Sequence, residues 1–284
     1  MINALIVVYR ESFEALLIVG LLYSFLVRRN AHPYAFRAIG AGAVVGLALS
    51  ALLALGIYKI ESEIGGFALE MFQFAMMVLA VVLITQMCIW MRIHARNLKS
   101  ELESGASKAI DTGHLFSLAL LTAIAVGREG SETVIFLYGM LSESVQSGKL
   151  GTFVMMSCAG LMLGILTWFA FQKGFSFFKQ KTFFTFSSIL LFITAGSMMI
   201  TISSKIIEFD WIQLGRDQMW DSSWLLTEKS AIGSIFQIIT GYRAQPSQFT
   251  VFMYASYWIV TLLLFYWASR SPRVPAFSQQ KLRN

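Results

Sequence analysis

Apolar residues gather in long runs along this chain: Ile2 to Val27, Ile39 to Ile60, Phe67 to Ile93, Leu115 to Leu141, Thr152 to Phe171, Phe183 to Ile207, and Phe249 to Ala268. About 20 residues of helix cross a ~30 Å hydrocarbon core, so seven transmembrane helices are expected and little chain is left for a soluble domain. Two runs break the pattern. The first holds Arg10-Glu11-Ser12-Phe13-Glu14 and the fourth Arg128-Glu129-Gly130-Ser131-Glu132, the same R-E-x-x-E spacing in two apolar settings. Glu11 lies roughly 14 Å from Ile2, and Glu129 roughly 21 Å from Leu115 along a helix of about 40 Å, so both fall near mid-membrane. A charge there costs at least ~2.5–3.5 kcal/mol, which makes these residues functional candidates.

The polar segments between the runs set the topology. Of the 22 Lys+Arg, fourteen lie after the first, third, fifth and seventh runs, as Arg28, Arg29, Arg37, Arg92, Arg96, Lys99, Lys108, Lys173, Lys179, Lys181, Arg270, Arg273, Lys281 and Arg283. The positive-inside rule then puts the C-terminus in the cytoplasm and the N-terminus outside. Acidic residues fall on the opposite side, among them Glu61, Glu63, Asp217 and Asp221, which we take as candidate outer ion-capture residues. With 56% hydrophobic and 13% charged residues, the net charge of +6 follows the membrane and does not indicate nucleic acid. Met1-Ile2-Asn3 carries no basic side chain and Arg10 interrupts the first apolar run, so a removable signal peptide is not expected.

Spans one and four run in opposite directions, and each is followed by a span with a small-residue pair, Gly42-x-x-x-Gly46 and Gly160-x-x-x-Gly164. Such pairs let helix backbones approach closely. The order predicts an all-α integral membrane protein of one transmembrane domain, an inverted 3+3 repeat plus a seventh helix. Its parts are repeat A (1–93), a cytoplasmic connector (94–114), repeat B (115–207), an outer loop (208–248) and the seventh helix (249–268). Inverted-repeat transporters hold their substrate at the midplane, between the repeats.

Several other features carry less chemistry. Met87 and Met91 share a helical face and could bind a soft metal, but methionine more often fills core gaps. Trp90 and Arg92 read as interfacial anchors. His32, His94 and His114 lie outside the depth of the spans and read as solvated. Cys88 and Cys158 lie within spans, where a thiol acts as a small apolar residue. In the outer loop Ile232, Ile235, Phe236 and Ile239 have helical spacing before Gly241-Tyr242-Arg243-Ala244-Gln245-Pro246, an interfacial amphipathic helix with a lid or ion-collecting vestibule as the alternative.

Glu11 and Glu14 share one helix face with Arg10, as Glu129 and Glu132 do with Arg128. Each arginine balances one carboxylate and leaves a second over, which an intramembrane salt-bridge staple does not require. Four glutamates make a hard oxygen site suited to hard cations, with thiolate and imidazole absent. Ionised, the cluster with its two arginines carries −2. A divalent ion neutralises it and a trivalent one leaves +1. A di-iron oxidoreductase would also pair carboxylates, but its bundle sites use Glu-x-x-His, and no His lies in these spans.

The chain resembles the oxidase-dependent iron transporters (iron/lead permeases), nearest the permeases of bacterial Efe-type iron uptake systems. The resemblance rests on the seven spans, the paired R-E-x-x-E motifs and the Gly241-Tyr242-Arg243-Ala244-Gln245-Pro246 element. In that family the motif is usually R-E-G-[LI]-E. The charged positions match here, while Ser12, Phe13 and Ser131 depart from it. The resemblance implies a high-affinity permease of the cytoplasmic (inner) membrane that moves iron, as the ferric ion, into the cytoplasm, and no enzyme. It implies iron binding by Glu11, Glu14, Glu129 and Glu132 with Arg10 and Arg128 balancing charge, no prosthetic group, and an extracytoplasmic iron oxidase or iron-binding protein as partner. Lead or another metal cation is the alternative cargo, and a di-iron oxidoreductase the alternative activity.

Overall fold

Apolar runs of this length leave their backbone polar groups no partner but the helix itself, and the computed structural model is accordingly helical. It describes residues 2–94, 98–111, 114–146, 148, 150–172, 180–224, 233 and 240–270. Eight helices form among them: α1 (Ile2–Arg28), α2 (Pro33–Glu63), α3 (Phe67–His94), α4 (Leu98–Asp111), α5 (Leu115–Gln146), α6 (Leu150–Gln172), α7 (Gln180–Glu208) and α8 (Gln248–Arg270). Five of them, α2, α3, α6, α7 and α8, are long and apolar enough to cross a membrane. The motif helices α1 and α5 are of similar length, but each carries three charged residues mid-length.

α2 begins six residues before the expected Ile39, because Pro33 can start a helix at no hydrogen-bond cost and the His32 ring accepts from the Tyr34 amide. The connector contains the helix α4. Its polar face is tied to the end of α1 by Arg28–Glu103 and Arg29–Asp111 ion pairs, and its buried Leu102, Ala106 and Ala109 pack against Leu22, Leu26 and Leu118.

The small-residue pairs work across the molecule rather than within one half. α2 packs along α5, and α6 packs along α1. A Cβ on Gly42 would lie 2.3 Å from the Ala119 carbonyl oxygen, and one on Gly160 would lie 2.5 Å from that of Leu5. At Gly40 a Cβ would meet nothing within 4 Å. Gly42→Ala is therefore expected to destabilise the protein by about 1–3 kcal/mol through overpacking, with Gly40→Ala unchanged. Thermal melting of the detergent-solubilised variants checks this, and equal midpoints would remove the close-approach account.

α3 packs on both α5 and α7, and α8 closes over α7 and α3. The main core joins Val7, Phe13 and Leu17 of α1 to Met77, Ile84 and Met87 of α3, with Phe136 of α5 and Leu191 and Met198 of α7. The outward faces are apolar too, including Val44, Leu52 and Leu55 on α2, Met162 and Leu166 on α6, and Leu262 and Trp267 on α8. An exposed apolar belt of this extent belongs against lipid. Cys158 lies on it, exposed, while Cys88 is buried in the core.

Between α7 and α8 the chain is held by short backbone bonds, Met219 to Pro246 and Ser222 to Ala244. Gly241 has φ 75° and sits against Ser197 of α7, a left-handed position that excludes a side chain and pins the Gly241-Tyr242 segment there. The amphipathic helix expected around Ile232, Ile235, Phe236 and Ile239 lies outside the described residues.

Candidate metal centre

α1 is well enclosed, and its helical spacing turns Glu11 and Glu14 towards α5 while the Arg10 side chain reaches Met87 of α3. Arg10 is fully buried. Its Nε faces Glu14 Oε1 at 2.8 Å, and its Nη1 donates to Glu11 Oε1 at 3.2 Å and to Met87 Sδ at 2.8 Å. One guanidinium thus braces both carboxylates and is itself held from α3.

α5 brings in the second motif. Glu129 is buried, and a carboxylate oxygen from each of Glu11, Glu14 and Glu129 lies within 4.8 Å of the others. No other group of three or more His, Cys, Asp or Glu converges in this way among the described residues. Glu132 is not drawn into this triangle. It pairs back along its own helix, with Arg128 Nε donating to Glu132 Oε1 at 2.9 Å and standing 3.9 Å from Glu129 Oε1.

The two motifs are alike in sequence and unlike in setting. The Arg10 side chain is 0% exposed and that of Arg128 40%. Arg128 stacks on Trp90 of α3, its Cζ 4.6 Å from a ring centroid. Trp90 is therefore half-buried inside the bundle beside the second motif rather than a plain interfacial anchor. Neither Met87 nor Trp90 had a sequence signal as a site neighbour. Both lie on the same side of α3, but only the docking of α3 against α1 and α5 gives that side a meaning.

Buried oxygens without donors mark the chemistry. Glu11 Oε2, Glu129 Oε2 and Glu132 Oε2 have no hydrogen-bond partner among the described residues. A buried unsatisfied polar atom costs about 1–3 kcal/mol, more when charged, so these oxygens are poised for a cation. A cavity of ≈ 80 Å³ touches Glu14, Glu129 and Arg128 and is also lined by Trp90 and Leu102. That is room for a few waters or a partly hydrated ion.

The four acidic residues expected at the outer mouth do not form a ligand group among the described residues. Glu61 accepts from Gln73 Nε2 at 3.3 Å, and Glu63 and Asp217 are exposed. Asp221 caps its own loop: the Ser223 hydroxyl and amide and the Gln245 side chain donate to it, holding its carboxyl below the usual carboxylate range. His32 and His114 are exposed and the described residues place no imidazole at the centre.

The model of the iron permease FTR1 family matches residues 1–269. A ferrous iron permease EfeU from Yersinia pestis is 29% identical over 269 residues, covering 94% of this chain and 93% of that protein. The protein of the same name from Escherichia coli O6:H1 is 30% identical and covers 92% of this chain and 93% of its own. That of Shigella sonnei is 31% identical with the same coverage. No solved structure matches the chain.

Proposed function

The chain belongs to the iron permease FTR1 family, and from that premise we propose that it carries iron into the cytoplasm through a mid-membrane site made by Glu11, Glu14 and Glu129, with Glu132 alongside. It is an integral membrane protein, and a transporter rather than an enzyme. The observation that carries the site is the convergence of three buried carboxylates from two helices more than a hundred residues apart in sequence, with donor-free oxygens between them. A salt-bridge staple would bury matched charges. Here Arg10 braces two of the three carboxylates, and Glu129 has only the 3.9 Å approach of Arg128, whose close partner is Glu132.

The charge count bears on the ion. Glu132 and Arg128 cancel as a close pair, so the three gathered carboxylates and Arg10 carry −2 when ionised. A divalent ion neutralises that, and in a low-dielectric site an uncompensated charge is costly. We therefore favour the ferrous ion at the centre over the ferric ion that the family resemblance implies, in keeping with the relatives' names. An outer oxidase or iron-binding partner remains a proposal from the resemblance, as does the inner-membrane location.

For the architecture we propose seven spanning helices, α1 to α3 and α5 to α8, with α4 as the cytoplasmic connector. Their packing supports an inverted repeat: α2 on α5 is mirrored by α6 on α1, α3 on α5 by α7 on α1, and α1–α5 and α3–α7 pair with themselves. The N-terminus is then outside and the C-terminus inside, following the loop charges. Glu61, Glu63 and Asp217 act at the outer mouth by field, and Asp221 as a loop cap.

Uptake into proteoliposomes tests this reading. Ferrous iron, kept reduced under anaerobic conditions, should accumulate and saturate, with ferric and lead ions taken up more slowly. Equal or faster uptake of ferric iron would overturn the assignment of the ion. No metal uptake at all from well-inserted protein would overturn the function.

A further inference from the structure

Among the charged groups of the centre, Arg128 is the one with a choice of partner. Arg10 has none: it is sealed, and two carboxylates and the Met87 thioether hold it. The Arg128 side chain is 40% exposed and borders the cavity, within reach of both Glu132 and Glu129. An i,i+4 ion pair whose cation is partly open is a weak restraint, so the helix alone does not keep Arg128 on Glu132. If the guanidinium swung onto Glu129, one of the three converging carboxylates would be neutralised before a cation arrived.

The second restraint comes from α3. The Trp90 ring lies beneath the Arg128 guanidinium, and a partly desolvated cation–π contact is the stronger of the two restraints. Trp90 also lines both the cavity at the carboxylates and a separate apolar groove of ≈ 900 Å³ between α3, α7 and α8. Trp90 thus borders both the polar centre and the apolar groove, and the guanidinium stacked on it borders the same cavity.

We propose that Trp90 is a positioning residue of the metal centre: it holds the Arg128 guanidinium on Glu132 and off Glu129, which leaves the Glu129 carboxylate available to the cation. This rests on the reading of Glu11, Glu14 and Glu129 as a cation site. It assigns a role in ion affinity to a residue outside the R-E-x-x-E motifs, acting through an arginine.

Ferrous-iron binding to the purified full-length protein tests it, with W90F, W90L, R128Q and W90L/R128Q compared under anaerobic conditions. W90L keeps apolar bulk but removes the ring's negative face, and its affinity should fall about tenfold, with W90F close to wild type. In the R128Q background W90L should weaken binding no further, because Trp90 acts through Arg128. In proteoliposomes the loss should appear in KM rather than in the maximal rate. W90M serves in place of W90L if the leucine variant does not remain monodisperse in detergent. Wild-type affinity in W90L, equal losses in W90F and W90L, or a full loss on adding W90L to R128Q would each overturn the proposal. The last two outcomes would make Trp90 a packing residue. Absence of ferrous binding by the wild-type protein would instead overturn the reading of the centre, and the proposal with it.

Discussion

Glu11→Gln, Glu14→Gln and Glu129→Gln should each nearly abolish iron uptake while leaving an inserted, folded protein. The carboxamide has almost the same shape and keeps one acceptor oxygen, so packing against the core is preserved. What it loses is charge. At an effective dielectric of about 20, a unit charge pair 4 Å apart is worth about 4 kcal/mol, and each 1.4 kcal/mol is tenfold, so affinity should drop by about two to three decades. Glu132→Gln should do less, about tenfold, because Glu132 stands outside the triangle and balances Arg128. Binding and uptake of ferrous iron by the four variants give the ranking. Normal uptake in all three triangle variants would make the motifs structural staples. Losses confined to α1, with Glu129→Gln normal, would sink the shared centre while leaving transport standing.

Arg10→Ala and Arg128→Ala should part company in stability, although the two motifs read alike. Removing one partner of a buried ion pair leaves an uncompensated charge and costs about 3–5 kcal/mol. Arg10 is fully buried and braces both Glu11 and Glu14, so its loss falls in that range. Against a typical total stability of about 5–15 kcal/mol, Arg10→Ala should accumulate poorly and melt well below the wild type. Arg128 is 40% exposed and borders the cavity, so its own charge is already partly screened in the native protein. Arg128→Ala should therefore lose about 1 kcal/mol or less and still insert. Membrane accumulation and thermal midpoints of the two variants decide the matter. Equal destabilisation, or a wild-type midpoint for Arg10→Ala, would contradict the buried-brace account.

The chain alone determined the helices and the cast of charges. Apolar runs of membrane length have one way to satisfy their backbone, so α1 to α3 and α5 to α8 were legible to within a few residues, with Pro33 extending α2. The two R-E-x-x-E motifs were legible because ionisable residues are costly at that depth, and the Gly42 and Gly160 pairs because close helix approach needs small residues. All of these are local signals, read within one helix. What belongs to the contacts between helices was decided by the tertiary structure. Gly42 and Gly46 seat α2 on the motif helix α5, and the packing of α5 on α1 brings Glu129 to Glu11 and Glu14. The same packing sends Glu132 back to Arg128, seals Arg10 but not Arg128, turns Cys158 outward, and sets Met87 and Trp90 against the two arginines. Hydropathy and spacing repeat along one helix axis and carry no register between helices a hundred residues apart. That register is fixed by which side chains interdigitate, and here it divides two motifs of the same pattern into a sealed brace and a partly open, positionable pair.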